Sequence, residues 1–227
     1  MPTILGIPLI GWVQIILGAA IVLFIVFKLL ARRRWTKTGE YILRDVHIIV
    51  GDGSELYHQN VLVKDGLIAQ ITAQPLVKKH AQVIECSGKT LMPGLIDCHV
   101  HIQGLNNRSD ADCDRFLKTE IPEIFKERIL PYGVTTVKDL CAPRHFIYKL
   151  REQIRTGKIT GPELLAVGPN FTAPDGHPAN TLGGNNPWIR KEMAIEVSTP
   201  EQVHAGVEEL KRDGVDFLKL TYQGGDY

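Results

Sequence analysis

Leu91-Met92-Pro93-Gly94-Leu95-Ile96-Asp97-Cys98-His99-Val100-His101 is the stretch on which the reading of this chain turns. An apolar run follows a Pro-Gly break and ends on two histidines one residue apart. Side chains of a strand alternate between faces, so His99 and His101 project the same way, about 7 Å apart along the backbone. Zinc–imidazole bonds are about 2.0–2.1 Å long, so two such rings can converge on one ion. Two histidines on one strand face also arise by chance, and the surrounding chain has to decide between the readings.

On the amino-terminal side, residues 36–92 read as a small β-sandwich module. Tyr41–Val50 is rich in β-branched residues, and Gly51–Glu55 supplies turn residues. Short strands are expected at Asn60–Val63, Leu67–Ile71, Gln82–Cys86 and Thr90–Met92, with a hairpin turn at Lys64-Asp65-Gly66. On the carboxyl-terminal side, residues 93–227, strand-like and helix-like stretches alternate. Strands are predicted at Leu95–Ile102, Gly133–Leu140, Glu163–Val167 and Asp216–Thr221. Helices are predicted at Thr119–Leu130, His145–Thr156 and Pro200–Asp213, the last with Thr199 as N-cap. That order implies a parallel sheet covered by helices. The Gly-, Pro- and Asn-rich stretch from Gly168 to Thr199 reads as a long functional loop. In the predicted strand at 216–221, Phe217, Lys219 and Thr221 share one face while Leu218 and Leu220 share the other. An ammonium inside a barrel is costly unless it is paired or neutralised, although a lysine at a strand end can also snorkel to water.

Residues 4–30 form an almost uninterrupted apolar run, with Lys28 as its first charge and Gln14 as its one polar mid-span side chain. About 20 such residues span a bilayer core as a helix. Trp12 and Trp35 flank the run, and Arg32, Arg33, Arg34 and Lys37 come directly after it. Residues 1–35 are therefore predicted to be a single-pass transmembrane anchor with a basic flank, which places the rest of the chain in the cytoplasm. A cleaved signal peptide would begin with basic residues and carry a shorter core. The chain of 227 residues has a net charge of +1, 44% apolar and 22% charged residues. That balance gives no electrostatic footprint for nucleic acid and is ordinary for a globular protein. The four cysteines, Cys86, Cys98, Cys113 and Cys141, form no CxxC pair and read as reduced thiols.

The strand ending in His99-Val100-His101 resembles the first barrel strand of the amidohydrolase superfamily, in particular its imidazolonepropionase-like and metal-dependent prolidase-like branch. The likeness extends over residues 38–227. Gly133–Leu140 is similar to the second strand, Gly168–His177 to the loop after the third, and Gly214–Leu220 to the fourth. The resemblance implies an α/β architecture with the first half of a (β/α)8 barrel. It also implies a hydrolase that cleaves an amide, cyclic amide or peptide carbon–nitrogen bond in a small or dipeptide-like substrate. His99 and His101 are then metal ligands, with Lys219 as a carboxylated lysine bridging two divalent cations, zinc by donor type. His177 either faces substrate or is a loop histidine in water. Asp139 either supports the ligands or caps the next helix, and Asp97 is structural or supporting.

In that superfamily, histidines from the fifth and sixth strands and an aspartate from the eighth complete the site. An eight-stranded barrel takes about 250 residues, so on this reading the chain carries strands one to four and is inactive alone. The competing reading is a non-catalytic, membrane-tethered half-barrel that serves as an interaction module.

Overall fold

Pro93 and Gly94 mark the division between two units, Met1–Pro93 and Gly94–Tyr227. The computed structural model describes residues 39–103 and 107–222, preceded only by Thr3, Ile4, Ile7, Pro8 and Gly18. Most of the expected anchor at 4–30 therefore lies outside the described residues. Its first residues are paired as strands, β1 (Thr3–Ile4) with β2 (Ile7–Pro8), rather than helical. A residue before proline is pushed away from the helical region, which favours this for Ile7. Among the described residues, no helix is long and apolar enough to cross a membrane.

In the first unit, β3 (Glu40–Ile49) is the organising strand. It pairs antiparallel with β4 (Glu55–Lys64), which pairs antiparallel with β5 (Leu67–Thr72). Its other edge takes β6 (Gln82–Glu85) and then β7 (Thr90–Leu91), both parallel. The Asp65-Gly66 turn has positive φ at both residues, 52° and 79°, the geometry that suits the twist of a two-residue hairpin. Val46, Ile48, Val61 and Cys86 form its core. Where a sandwich was expected, at residues 36–92, the five strands β3 to β7 build one sheet among the described residues. The reason lies in β3: its ten residues hold both β6 and β7 on one edge, so the short strands that would have made a second layer extend the first.

In the second unit, β8 (Leu95–Val100), β9 (Val134–Asp139) and β10 (Glu163–Ala166) form a parallel sheet in the order β10-β9-β8. Between β8 and β9 lie α1 (Asp110–Thr119) and α2 (Ile121–Ile124), the latter continuing through a π turn at Phe125–Ile129 and a 3-10 turn at Leu130–Tyr132. The predicted helix at 119–130 is thus this broken second piece, and α1 was not anticipated. Its signal was present: Ser109 caps it by accepting from the Asp112 backbone N–H, and Asp110 and Asp112 stand in its first turn, where acidic residues favour the helix dipole. α3 (Arg144–Arg155) comes after β9. Cys113, Phe116 and Leu117 of α1 and Phe146, Ile147 and Leu150 of α3 pack with Phe125, Val137, Leu164 and Ala166 as one buried core. One face of β9 and β10 is covered in this way, while Thr136, Lys138 and Leu165 on the other face stay half-exposed.

The stretch from 168 to 199 is folded rather than structureless. It contains β11 (Asn170–Thr172), a π turn at Ala179–Gly183, α4 (Pro187–Met193) and β12 (Ala194–Glu196), with β11 and β12 parallel. α5 (Pro200–Asp213) starts with the expected Thr199 cap, as a full capping box with Gln202. The predicted strand at 216–221 is reduced to one bridge, Leu220 with Phe171. Its partner edge is split between β10 and β11. Asp216 N–H donates to the Ala166 carbonyl, but the next contacts are with Phe171, so no continuous ladder forms. Leu218 and Leu220, expected under helices, are 44% and 70% exposed.

Candidate metal centre

The site begins at the Pro-Gly break. A Cβ on Gly94 would stand 1.9 Å from Thr135 Oγ1 and 2.7 Å from Thr135 Cβ, so only glycine allows β8 to approach β9 here. Farther along the pair, Asp97 opposes Val137, and then Val100 opposes Asp139. Three steps on β8 against two on β9 make a β-bulge at Cys98 and His99. Bulges of this kind re-aim side chains at strand ends. The strict alternation that would align Asp97 with the histidines is interrupted; the Asp97 carboxylate instead accepts from the His99 backbone N–H at 3.1 Å. The two histidines do meet. Their ring centroids are 5.3 Å apart with planes at 71°.

His101 is oriented by the neighbouring strand's end. Its Nδ1 lies 3.3 Å from the Cys141 carbonyl oxygen. A proton on Nδ1 donated to that carbonyl leaves the Nε2 lone pair for a cation, the arrangement by which ligand histidines are commonly fixed. Asp139 ties the two strand ends together. It is completely buried and accepts from the Ile102 N–H at 2.7 Å and the Cys141 N–H at 3.0 Å. Burial pushes its carboxyl up to about 7, against the pull of those two N–H bonds. The helix-cap reading of Asp139 is corrected by this geometry. α3 begins after Pro143 with no side-chain cap, and the carboxylate is occupied in holding the residue after His101 and the residue whose carbonyl holds His101.

Lys219 stands on the segment after α5. Burial pushes the Cys141 thiol up to about 12 and the Asp139 charge adds to this, while the Lys219 charge opposes it. Lys219 is half-buried, and its carbonyl accepts from the Phe171 N–H at 2.9 Å. Two residues earlier the Phe217 ring lies under Lys138 Nζ, 3.7 Å from it, so this segment starts on the face of β9 that the helices leave open.

His177 is bound differently. Its Nδ1 contacts the Thr181 hydroxyl, within a loop held by Arg190, which bonds both Asp175 and Glu196. Among the described residues no three His, Cys, Asp or Glu side chains come together as a ligand set; the histidine pair stands without a carboxylate or thiolate third partner there. Sequence reasoning did not find Cys141, whose backbone carbonyl rather than side chain does the orienting. A main-chain group leaves no signature in residue type. Asn107 and Asn170, which head glycosylation-type triplets, are 8% and 2% exposed, so neither can carry a glycan in this fold.

The amidohydrolase family model matches residues 90–223. The chain belongs to that family. It is 29% identical over 132 residues to a dihydroorotase of Bacillus thuringiensis (strain Al Hakam), covering 45% of this chain and 29% of that protein. Among solved structures, a putative prolidase from Bifidobacterium longum aligns over 83% of this chain and 42% of its own, at 26% identity and TM-score 0.60. A prolidase complexed with N-methylphosphonate-L-proline shares the fold at 24% identity and TM-score 0.61, covering 82% of this chain and 47% of its own. The chain therefore spans less than half the length of these relatives.

Proposed function

We propose that this chain contributes the metal-binding strand of a metal-dependent hydrolase acting on carbon–nitrogen bonds of small amides, cyclic amides or dipeptide-like substrates. The observation that carries the reading is the His99–His101 pair, 5.3 Å between rings, with His101 Nδ1 on the Cys141 carbonyl. Two neutral imidazoles, one fixed in tautomer by a backbone acceptor, suit zinc and neighbouring divalent ions. Lys219 is the third donor in this reading. A carbamate on its Nζ would turn a cation-repelling ammonium into an anionic oxygen ligand, whose half-buried charge a divalent cation would pair. When bound, a divalent cation supplies Lewis-acid polarisation of the scissile carbonyl and lowers the pKa of water. The chain's own contribution is to fix the His101 tautomer, to hold the two strand ends together through Asp139, and to present Lys219 from the open face. His177 is assigned a substrate-facing role from the loop after β11, and the dihydroorotase and prolidase relatives support the substrate class.

Native mass spectrometry of zinc-loaded protein, with and without bicarbonate, tests this. Zinc retention by the parent chain, lost in His99→Ala and His101→Ala, is expected, with a carbamate-sized mass increment lost in Lys219→Ala. Zinc uptake identical in parent and histidine variants would sink the reading.

We also propose that the protein is held at a membrane with its hydrolase part on the cytoplasmic side. The apolar run over residues 4–30 exceeds the bilayer length of about 20 residues, and Arg32–Arg34 with Lys37 supports that orientation. Extraction by alkaline carbonate would argue against it.

A further inference from the structure

The segment that carries Lys219 lacks a continuous ladder, and side chains supply much of what holds it. Asp216 is tied first. Its carboxylate accepts from the Ala166 N–H at 2.8 Å and from Arg151 Nη1 at 2.7 Å, and its own N–H donates to the Ala166 carbonyl at 3.0 Å. The start of the segment is thereby fixed to the end of β10 and to α3. Farther on, the Lys219 carbonyl accepts from the Phe171 N–H and the Thr221 N–H donates to the Phe171 carbonyl, both at 2.9 Å. Those two bonds seat the main chain on either side of Leu220 against β11.

Between these ties Phe217 reaches back across the sheet. Its ring lies 3.7 Å from Lys138 Nζ, although Lys138 stands on β9 and Asp216 is bonded to β10. Neighbouring strands are about 4.8 Å apart, so the contact spans two strand spacings, on the face that the helices leave open. Leu165, the ladder partner of Lys138 on β10, is half-buried on the same face. The ring keeps 40% of its surface exposed, so burial holds it weakly. An ammonium over a ring adds an attraction worth about 2- to 30-fold in an equilibrium constant. Lys219 follows two residues later, between the held ring and the bridge at Leu220. The direction in which its side chain leaves the segment is set from both sides.

We propose that Lys138 is a positioning residue for Lys219, acting through the Phe217 ring that it holds over the open face of the sheet. The proposal rests on the reading of Lys219 as a metal ligand. The test compares two variants of the full chain. Lys138→Met keeps an unbranched stem without the charge, whereas Lys138→Arg keeps a cation that stacks on aromatic faces. The first readout is amide hydrogen exchange at Phe171 and Thr221, whose bonds persist only while the segment stays seated. It needs neither metal nor turnover. Exchange at these two amides should quicken about 2- to 30-fold in Lys138→Met, the range of one cation–ring contact, while amides of α5 keep the parent rate. The second readout is native mass spectrometry with zinc and bicarbonate. Zinc affinity and the carbamate-sized increment should fall in Lys138→Met by a similar factor, and Lys138→Arg should restore both readouts. Unchanged exchange in Lys138→Met would overturn the proposal. Quickened exchange with zinc and carbamate unaltered would overturn it too, since the contact would then be structural only. Retention of zinc and carbamate in Lys219→Ala would instead remove the ligand reading, and the exchange rates would still report whether Lys138 holds the segment.

Discussion

Gly94 is the residue whose replacement the structure predicts most directly. A methyl group there meets the Thr135 side chain at its Cβ as well as its tip, and overpacking of this kind costs about 1–3 kcal/mol. Gly94→Ala is expected to lower the urea midpoint accordingly, and Thr135→Ala to restore part of it in the double variant. The cysteines give a second residue-level prediction. Cys98 is exposed while Cys86, Cys113 and Cys141 are buried, so iodoacetamide should modify one thiol in the folded protein and the other three only in denaturant. Burial and neighbouring acidic residues push the Cys113 thiol from 9.0 up to about 12. Above about pH 9 the unfolded thiol then ionises while the folded one keeps its proton, so stability falls as pH rises from 9 toward 12. Cys113→Ala should flatten that slope in pH-dependent urea melts even though it lowers stability overall.

At the scale of elements, α5 and the β8–β9 pair carry the testable features. The Thr199–Gln202 capping box satisfies orphan N–H groups at the start of α5. Thr199→Ala should cost about 1 kcal/mol, read as a fall in thermal midpoint with the fold retained. Asp139 couples the ends of β8 and β9 through two backbone N–H groups. Removing a group that orients ligands typically costs about 10–100-fold in metal affinity. Asp139→Ala is expected to weaken zinc binding by that order in a competition assay with a chromophoric chelator, and a variant that binds zinc like the parent would show that the coupling does not reach the histidines. The strands and helices were legible from period and punctuation at β3, β9, α3 and α5. The last strand was not, because a strand requires a continuous partner, and the edge offered to residues 216–221 is interrupted between Ala166 and Asn170.

For the molecule as a whole, a ligand that binds only the folded state stabilises it by mass action, about 2.7 kcal/mol at a hundred times its dissociation constant. Zinc should therefore raise the thermal midpoint of the parent chain, and chelation should reverse the shift. His99→Ala with His101→Ala should abolish it. An equal shift in that double variant would place the zinc elsewhere.

The sequence by itself determined the two-part division near Pro93, the parallel α/β character of the residues beyond it, and the histidine pair. These rest on local properties: the period of apolar residues, the backbone limits of Pro and Gly, and the alternation of a strand. Only the tertiary structure decided that β3 to β7 join in one sheet, that a bulge re-aims the strand at His99, and that Asp139 and the Cys141 carbonyl hold His101 and the strand ends. Each of those depends on pairing between residues distant in the chain, Ile102 with Asp139 or His101 with Cys141, or on a main-chain group, and neither is written in the identity of any single side chain.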